Sequence, residues 1–165
     1  MRTLVAVEEG DAATPARVAR RSFDDLYRST QPAMVRVAVL LVGSEDVATD
    51  LVQDSFVRVH ARWDRVEDPV AYVRRCVVNA CHSHHRRLRL LRRLDLRPAE
   101  PAELGARELS DALAALPHRQ RAALVLRFYE GLPDAEIAQA LGCRTGTVAS
   151  LVHRGLAALR EVIDR

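Results

Sequence analysis

Apolar residues recur along this chain at the three-and-four spacing of helices and nowhere alternate as strands do, so an all-α fold is predicted. A helical pattern covers residues 16–28, and Gln31 and Pro32 restart the chain with proline at a first-turn position. The next helix runs to about Val42, where Gly43 ends it and Ser44 caps its successor. Val52, Phe56, Val59 and Trp63 then fall at i, i+4, i+7 and i+11, with Val47 and Leu51 beside them, which marks a core-facing stripe. Asp68 and Pro69 form an N-cap followed by proline at the first helical position. The helix they open has an apolar face of Val70, Val73, Val77, Cys81, Leu88 and Leu91, with Arg74, Arg75, Asn79, His82 and Arg86 turned away from it. Pro98 and Pro101 punctuate a polar stretch that separates two helical regions of unlike charge, and the domain boundary is placed there. Beyond it, helical patterns cover 106–116, 118–130, 133–141 and 145–164. Residues 1–15 show no sustained period and read as a loose extension.

A length of 165 residues with 48% apolar content suits one compact domain or two small ones. No apolar run approaches the roughly 20 residues that cross a bilayer, and the N-terminus lacks the apolar stretch of a signal peptide. A cytoplasmic protein without membrane insertion is expected. Cys76, Cys81 and Cys143 are an odd number without an export signal, which points to reduced thiols. Charge is more informative. Residues 44–68 carry three arginines against seven acids, and residues 69–97 carry eight arginines against one aspartate. An acidic segment directly before a basic one suits two partners of opposite charge, or else two solvated helices.

The most specific local pattern lies between Asp134 and Val148. A helix-turn-helix needs a small residue where its helices cross, a turn residue tolerating positive φ, and a branched apolar residue locking the second helix. Ala138, Gly142 and Val148 supply these, Ile137 and Leu141 add core contacts, and Thr145 is the expected cap of the recognition helix. Thr147, Ser150, His153 and Arg154 are candidates for base edges and Arg144 for the phosphate backbone, whereas Ala149 and Leu151 occupy outward or half-outward positions without charge. Tyr72 and Trp63, near the start of the basic helix, could hold unstacked bases against its cationic wall. Cys76, Cys81, His82, His84 and His85 invite a zinc test, but only pairs such as Cys81 and His85 share a helix face, and a core cysteine with surface histidines is the favoured reading. No nucleophile, base and orienter assemble from local motifs, so neither catalysis, nor a metal or other cofactor, nor a small-molecule substrate is expected.

Two blocks resemble an extracytoplasmic-function sigma factor, the minimal two-domain class of sigma-70-like initiation factors. One runs from Asp46 through Asp50, Leu51, Gln53 and Asp54 to Arg58; the other runs from Ala114 through Pro117, Arg121, Arg127 and Glu130, and resumes from Gly146 through Val148 and Ser150 to Arg154. The run from Asp68 through Tyr72 and Arg75 to Asn79 is similar to an actinobacterial branch. The resemblance implies an N-terminal extension (1–21), a region 2 helical bundle (22–94), a short linker (95–105) and a region 4 helix-turn-helix domain (106–165). It implies that Asp50, Leu51, Gln53, Asp54 and Phe56 dock on the β′ clamp helices of core RNA polymerase. Asp64, Arg65, Arg74, Arg75, Asn79, His82 and Arg86 would meet the minus-10 element, and Arg144, Thr145, Thr147, Ser150, His153 and Arg154 the minus-35 element. An anti-sigma partner is expected on the same ground. Ala149 and Leu151 stand where the family is often basic, which predicts a weak or altered minus-35 readout. Pro133 stands where the family often has a serine cap. A stand-alone helix-turn-helix regulator with a helical sensor or dimerisation domain is the alternative.

Overall fold

The computed structural model describes residues 22–94 and 107–164. The expectations for residues 1–21, for the linker 95–105 and for residues 106 and 165 lie outside these. Seven α-helices and two shorter helical turns, with no strand among the described residues, make up the fold.

The first half is a three-helix bundle. Helix α1 (Phe23–Val42) opens where the Ser22 hydroxyl accepts the Asp25 N–H at 3.1 Å, and it closes at Gly43, whose φ of 78° only glycine adopts freely. The expected restart at Pro32 does not occur, and one helix runs straight through it. Pro32 and Arg28 are both exposed, so the carbonyl that the missing N–H would have served faces water. Helix α2 (Glu45–His60) is capped by Ser44 and buries Ala48, Val52, Ser55, Phe56 and Val59. Trp63 is not part of that stripe. It sits in a 3₁₀ turn (Trp63–Arg65), where its ring meets Phe23 edge-on at 5.5 Å and closes the end of the bundle. Its indole is committed to this packing and does not stand as an open platform beside Tyr72. Helix α3 (Pro69–Arg93) starts as expected, with the Asp68 carboxylate accepting the Ala71 N–H at 3.0 Å.

In the second half, α4 (Arg107–Ala115) is followed by α5 (His118–Leu124), which widens into a π-helical turn at Val125–Tyr129. There the Glu130 N–H reaches five residues back to the Val125 carbonyl, so the expected 118–130 helix is wound in two ways. Helix α6 (Asp134–Leu141) begins directly after Pro133 without a side-chain cap. It ends at Gly142, which holds a φ of 60° while the Cys143 N–H bonds the Ala138 carbonyl at 3.0 Å. Helix α7 (Thr145–Ile163) takes Arg144 as its N-cap. Thr145 is therefore already helical and does not cap. Leu151 is also corrected: it lies inward with Val148 and Gly155, because the α7 face packed on α5 and α6 is wider than the motif alone implied.

The two halves share one core. Leu26, Met34, Leu41, Val52, Phe56 and Val73 belong to the same apolar cluster as Leu126, Ile137 and Val148. Helices α1 and α3 both reach across: α1 meets α4, α5 and the π-helical turn, and α3 packs on α1 and α2 with one side and on α5 and α6 with another. That double burial explains why Val78 and Arg74 are covered along with Val73, Val77 and Cys81.

Candidate functional site

On α2, Asp50, Gln53 and Asp54 stand exposed at i, i+3 and i+4, and Val57 extends the face at i+7 with 68% of its surface open. An apolar side chain that open, at the end of an acidic row, is the element the sequence reading missed; it belonged to no core stripe and was passed over. Leu51 is half-buried at the edge of this face. Phe56 is corrected, because its ring is 2% exposed and packs edge-on against Tyr27 at 4.9 Å. It holds the helix in place and offers no docking surface.

The seven residues expected at one minus-10 face divide into two groups. Arg75, Asn79 and Arg86 point outward along α3, with Asp64 and Arg65 exposed in the turn before it. Arg74, expected to face away from the core, is 9% exposed and turned into the seam between the halves. Its Nη1 donates to Glu136 at 3.3 Å, and its Nε lies 4.0 Å from Glu130. His82 is likewise half-buried against the second half, its ring centroid 5.0 Å from that of His118. In this arrangement neither Arg74 nor His82 presents a free face to a nucleic acid. Tyr72 accepts a hydrogen bond from Arg62 Nη1 at 3.0 Å.

In the helix-turn-helix, Arg144, Thr145, Ser150, His153 and Arg154 are exposed and Thr147 is half-buried, so these side chains line the outer side of the start of α7. Ala149 is exposed among them. Arg154 Nε donates to the Ser150 carbonyl one turn back at 3.3 Å. Three ion pairs tie this half together and to the first: Arg127 with Asp134, and Arg74 with each of two glutamates, Glu130 and Glu136.

Arg121, which received no role from the sequence, anchors the seam. It is 5% exposed, and its guanidinium donates to the carbonyls of Leu41 at 2.5 Å, Ala114 at 2.7 Å and Leu116 at 3.3 Å. Leu41 lies in the last turn of α1, Ala114 in the last turn of α4 and Leu116 just past it, so one buried cation satisfies carbonyls that helix ends leave without partners. His85 Nε2 donates to the same Leu41 carbonyl at 2.7 Å. Beside them lies His118, 4.9 Å from His85 between ring centroids. Burial pushes the Cys81 thiol up to about 12, which keeps it a protonated core residue. Among the described residues no group of three or more histidine, cysteine or acidic side chains is arranged to hold a metal ion.

These features define a two-part helical DNA-binding protein, with an acidic face on one helix, a basic face on the next and a helix-turn-helix behind them. Residues 26–91 match the family model for sigma-70 region 2, and residues 106–159 match that for sigma-70 region 4. The chain is 35% identical over 150 residues to the RNA polymerase sigma-E factor of Streptomyces coelicolor, covering 84% of each. It is 33% identical over 170 residues to the ECF RNA polymerase sigma factor SigE of Mycolicibacterium smegmatis, covering 93% of this chain and 66% of that one. Among solved structures it is similar to the sigma factor RpoE in complex with the anti-sigma factor NepR from Bartonella quintana. That match has a TM-score of 0.72 at 28% identity and covers 86% of this chain and 96% of the other. CnrH in complex with the cytosolic domain of CnrY is similar at a TM-score of 0.67 and 25% identity, covering 86% and 87%. The chain belongs to the sigma-70 family, as an extracytoplasmic-function sigma factor that directs transcription initiation. A stand-alone regulator with a sensor domain gives way to this, because its first half matches region 2. Among the described residues no helix is long and apolar enough to cross a membrane.

Proposed function

We propose that the exposed α2 face of Asp50, Gln53 and Asp54, with Leu51 at its edge and Val57 at its end, docks on the β′ clamp helices of core RNA polymerase. The observation that carries this is the i, i+3, i+4, i+7 row itself, a charged face ending in an apolar residue left open among the described residues. Arg75, Asn79 and Arg86, with Asp64 and Arg65, engage the minus-10 element. Arg144, Thr145, Thr147, Ser150, His153 and Arg154 read the minus-35 element, phosphate contacts setting the register for base contacts. The functional units are residues 22–94 and 106–165, joined by 95–105. Arg74 and His82 join the minus-10 contacts only after the halves part, since the second half occupies both in the closed arrangement. Free energy for opening DNA comes from binding unstacked bases, so the chain needs no catalytic activity of its own; consistent with its sigma-factor relatives, its place of work is the cytoplasm. An anti-sigma protein is its partner when inactive, a reading supported by the similar structure of the sigma factor RpoE, which was solved in complex with the anti-sigma factor NepR.

The test is run-off transcription with bacterial core polymerase on promoter fragments, with and without the protein. Discrete new start sites are expected, lost on Asp50→Arg together with Asp54→Arg while the protein stays folded. Unchanged transcription with both charges reversed overturns the docking assignment.

A further inference from the structure

Three histidines from two helices meet at the seam. His82 and His85 stand one turn apart on α3, and His118 opens α5 opposite them, with ring centroids 5.0 and 4.9 Å from its neighbours. Both ring nitrogens of His118 are buried and have no hydrogen-bond partner among the described residues. The charges acting on the three rings are all positive. Arg86 and Arg89 on α3 and Arg119 on α5 act on His82; Arg121, His84 and Arg89 act on His85; Arg121, Arg89 and the other two histidines act on His118. From α1 the seam receives the Leu41 carbonyl, already shared by His85 and Arg121, and the cation of Arg36, whose Nε donates to the Tyr129 hydroxyl at 2.9 Å. The carboxylates of the seam, Glu130 and Glu136, are engaged with Arg74 instead.

We propose that this seam is a proton-operated latch: His82, His85 and His118 let the two halves close while they are neutral, and drive them apart when they take up protons. Each proton would place a cation beside Arg121 and its neighbours with no anion to receive it. Burial, reinforced by the surrounding cations, holds all three histidines below their ordinary value, His118 down to about 3. The Leu41 carbonyl pulls His85 the other way, but less strongly. The sign follows. A base whose closed-state value is depressed gives its full support to closure above its ordinary value, near 6.5, and loses it progressively as the pH falls toward the closed-state value. For each histidine that binds a proton only on opening, the closed-to-open ratio falls about tenfold between about pH 8 and about pH 5.5. Residues 95–106 connect α3 to α4, and twelve residues reach at most about 40 Å, so the halves can separate without unwinding either helix.

Small-angle scattering of the full chain at about pH 7.5 and about pH 5.5, with far-ultraviolet circular dichroism alongside, tests this. An increase in radius at the lower pH with unchanged helicity is expected. The increase should shrink in His118→Gln and disappear in the triple replacement of His82, His85 and His118 by glutamine. Should the triple variant fail to fold, the single variants His82→Gln and His118→Gln must each shift the midpoint to lower pH. No change in radius for the natural chain, a loss of helicity in place of expansion, or an unaltered transition in the variants overturns the latch. The readout contains neither polymerase nor promoter, so its failure is separate from failure of the promoter-recognition reading.

Discussion

Arg74 and Glu136 meet at 3.3 Å across the two halves of the molecule, one from the basic helix of region 2 and the other from the first turn of α6. The pair is unequal. Arg74 is buried, whereas 48% of the Glu136 side chain is open to water. Such a contact contributes little through attraction alone, because water screens the exposed partner. Its larger effect is to give a buried guanidinium a carboxylate while the halves are closed, in the place a phosphate would take when they are open.

A double-mutant cycle between Arg74→Met and Glu136→Gln should therefore return a coupling of about 0.2–1 kcal/mol in urea unfolding. Glu136→Gln combined with Glu130→Gln should favour the open form and tighten binding to a single-stranded minus-10 oligonucleotide. Equal or weaker binding would count against the masking of Arg74.

Neighbouring positions 56 and 57 on α2 should separate stability from docking. Phe56→Ala should cost about 3–5 kcal/mol in unfolding free energy, since it empties a ring-sized volume in the shared core. Val57→Asp should leave the unfolding midpoint nearly unchanged and reduce co-elution with core polymerase. If Val57→Asp unfolds the protein, the residue is not the open surface described.

Gly142 holds the turn of the helix-turn-helix at a φ of 60°. Gly142→Ala meets no neighbouring atom within 4 Å, so its cost is conformational, about 1–2 kcal/mol, and thermal unfolding would show it. A loss far beyond this would mean that the site is crowded after all.

How much of this was legible in the sequence varied with the kind of feature. Caps at Ser44 and Asp68, the left-handed Gly43 and Gly142 and the helix-turn-helix spacing are local devices, and each was read at its proper residue. Pro32 misled because proline's cost depends on whether the carbonyl four residues back is solvated, which only the packed helix reveals. Arg74 misled for the opposite reason: charge predicts exposure until a second half supplies carboxylates to receive it. Arg121 stood out only as part of a family-like block, and its anchoring role was illegible, because its acceptors are backbone carbonyls at the ends of two helices, and these have no letter in the sequence.

Ala149 is exposed in the recognition helix among residues placed to meet DNA. Ala149→Lys should tighten binding to a double-stranded minus-35 fragment and steepen its logarithmic salt dependence by about one. Affinity and salt slope both unchanged would show that this position lies away from the backbone.

Cys81 is fully covered and its thiol is pushed up to about 12 by burial, whereas Cys143 is only half-buried in the turn after α6. A thiol reagent at neutral pH should leave Cys81 unmodified in the folded protein and reach it on adding denaturant. Mass spectrometry of the labelled peptides would decide it.

The short helices of region 4 carry a cost that becomes visible only in time. With nine, seven and eight residues, α4, α5 and α6 fall below the length at which a helix persists alone in water, so each depends on its neighbours to stay wound. When the second half swings away from α3, it surrenders packing that α5 and α6 used, while the long helices of region 2 keep most of theirs. The opened protein keeps its helices, but those of region 4 open locally more often than those of region 2. Its amide hydrogens in region 4 should exchange with solvent ahead of those in region 2, until a promoter replaces the surface that was given up.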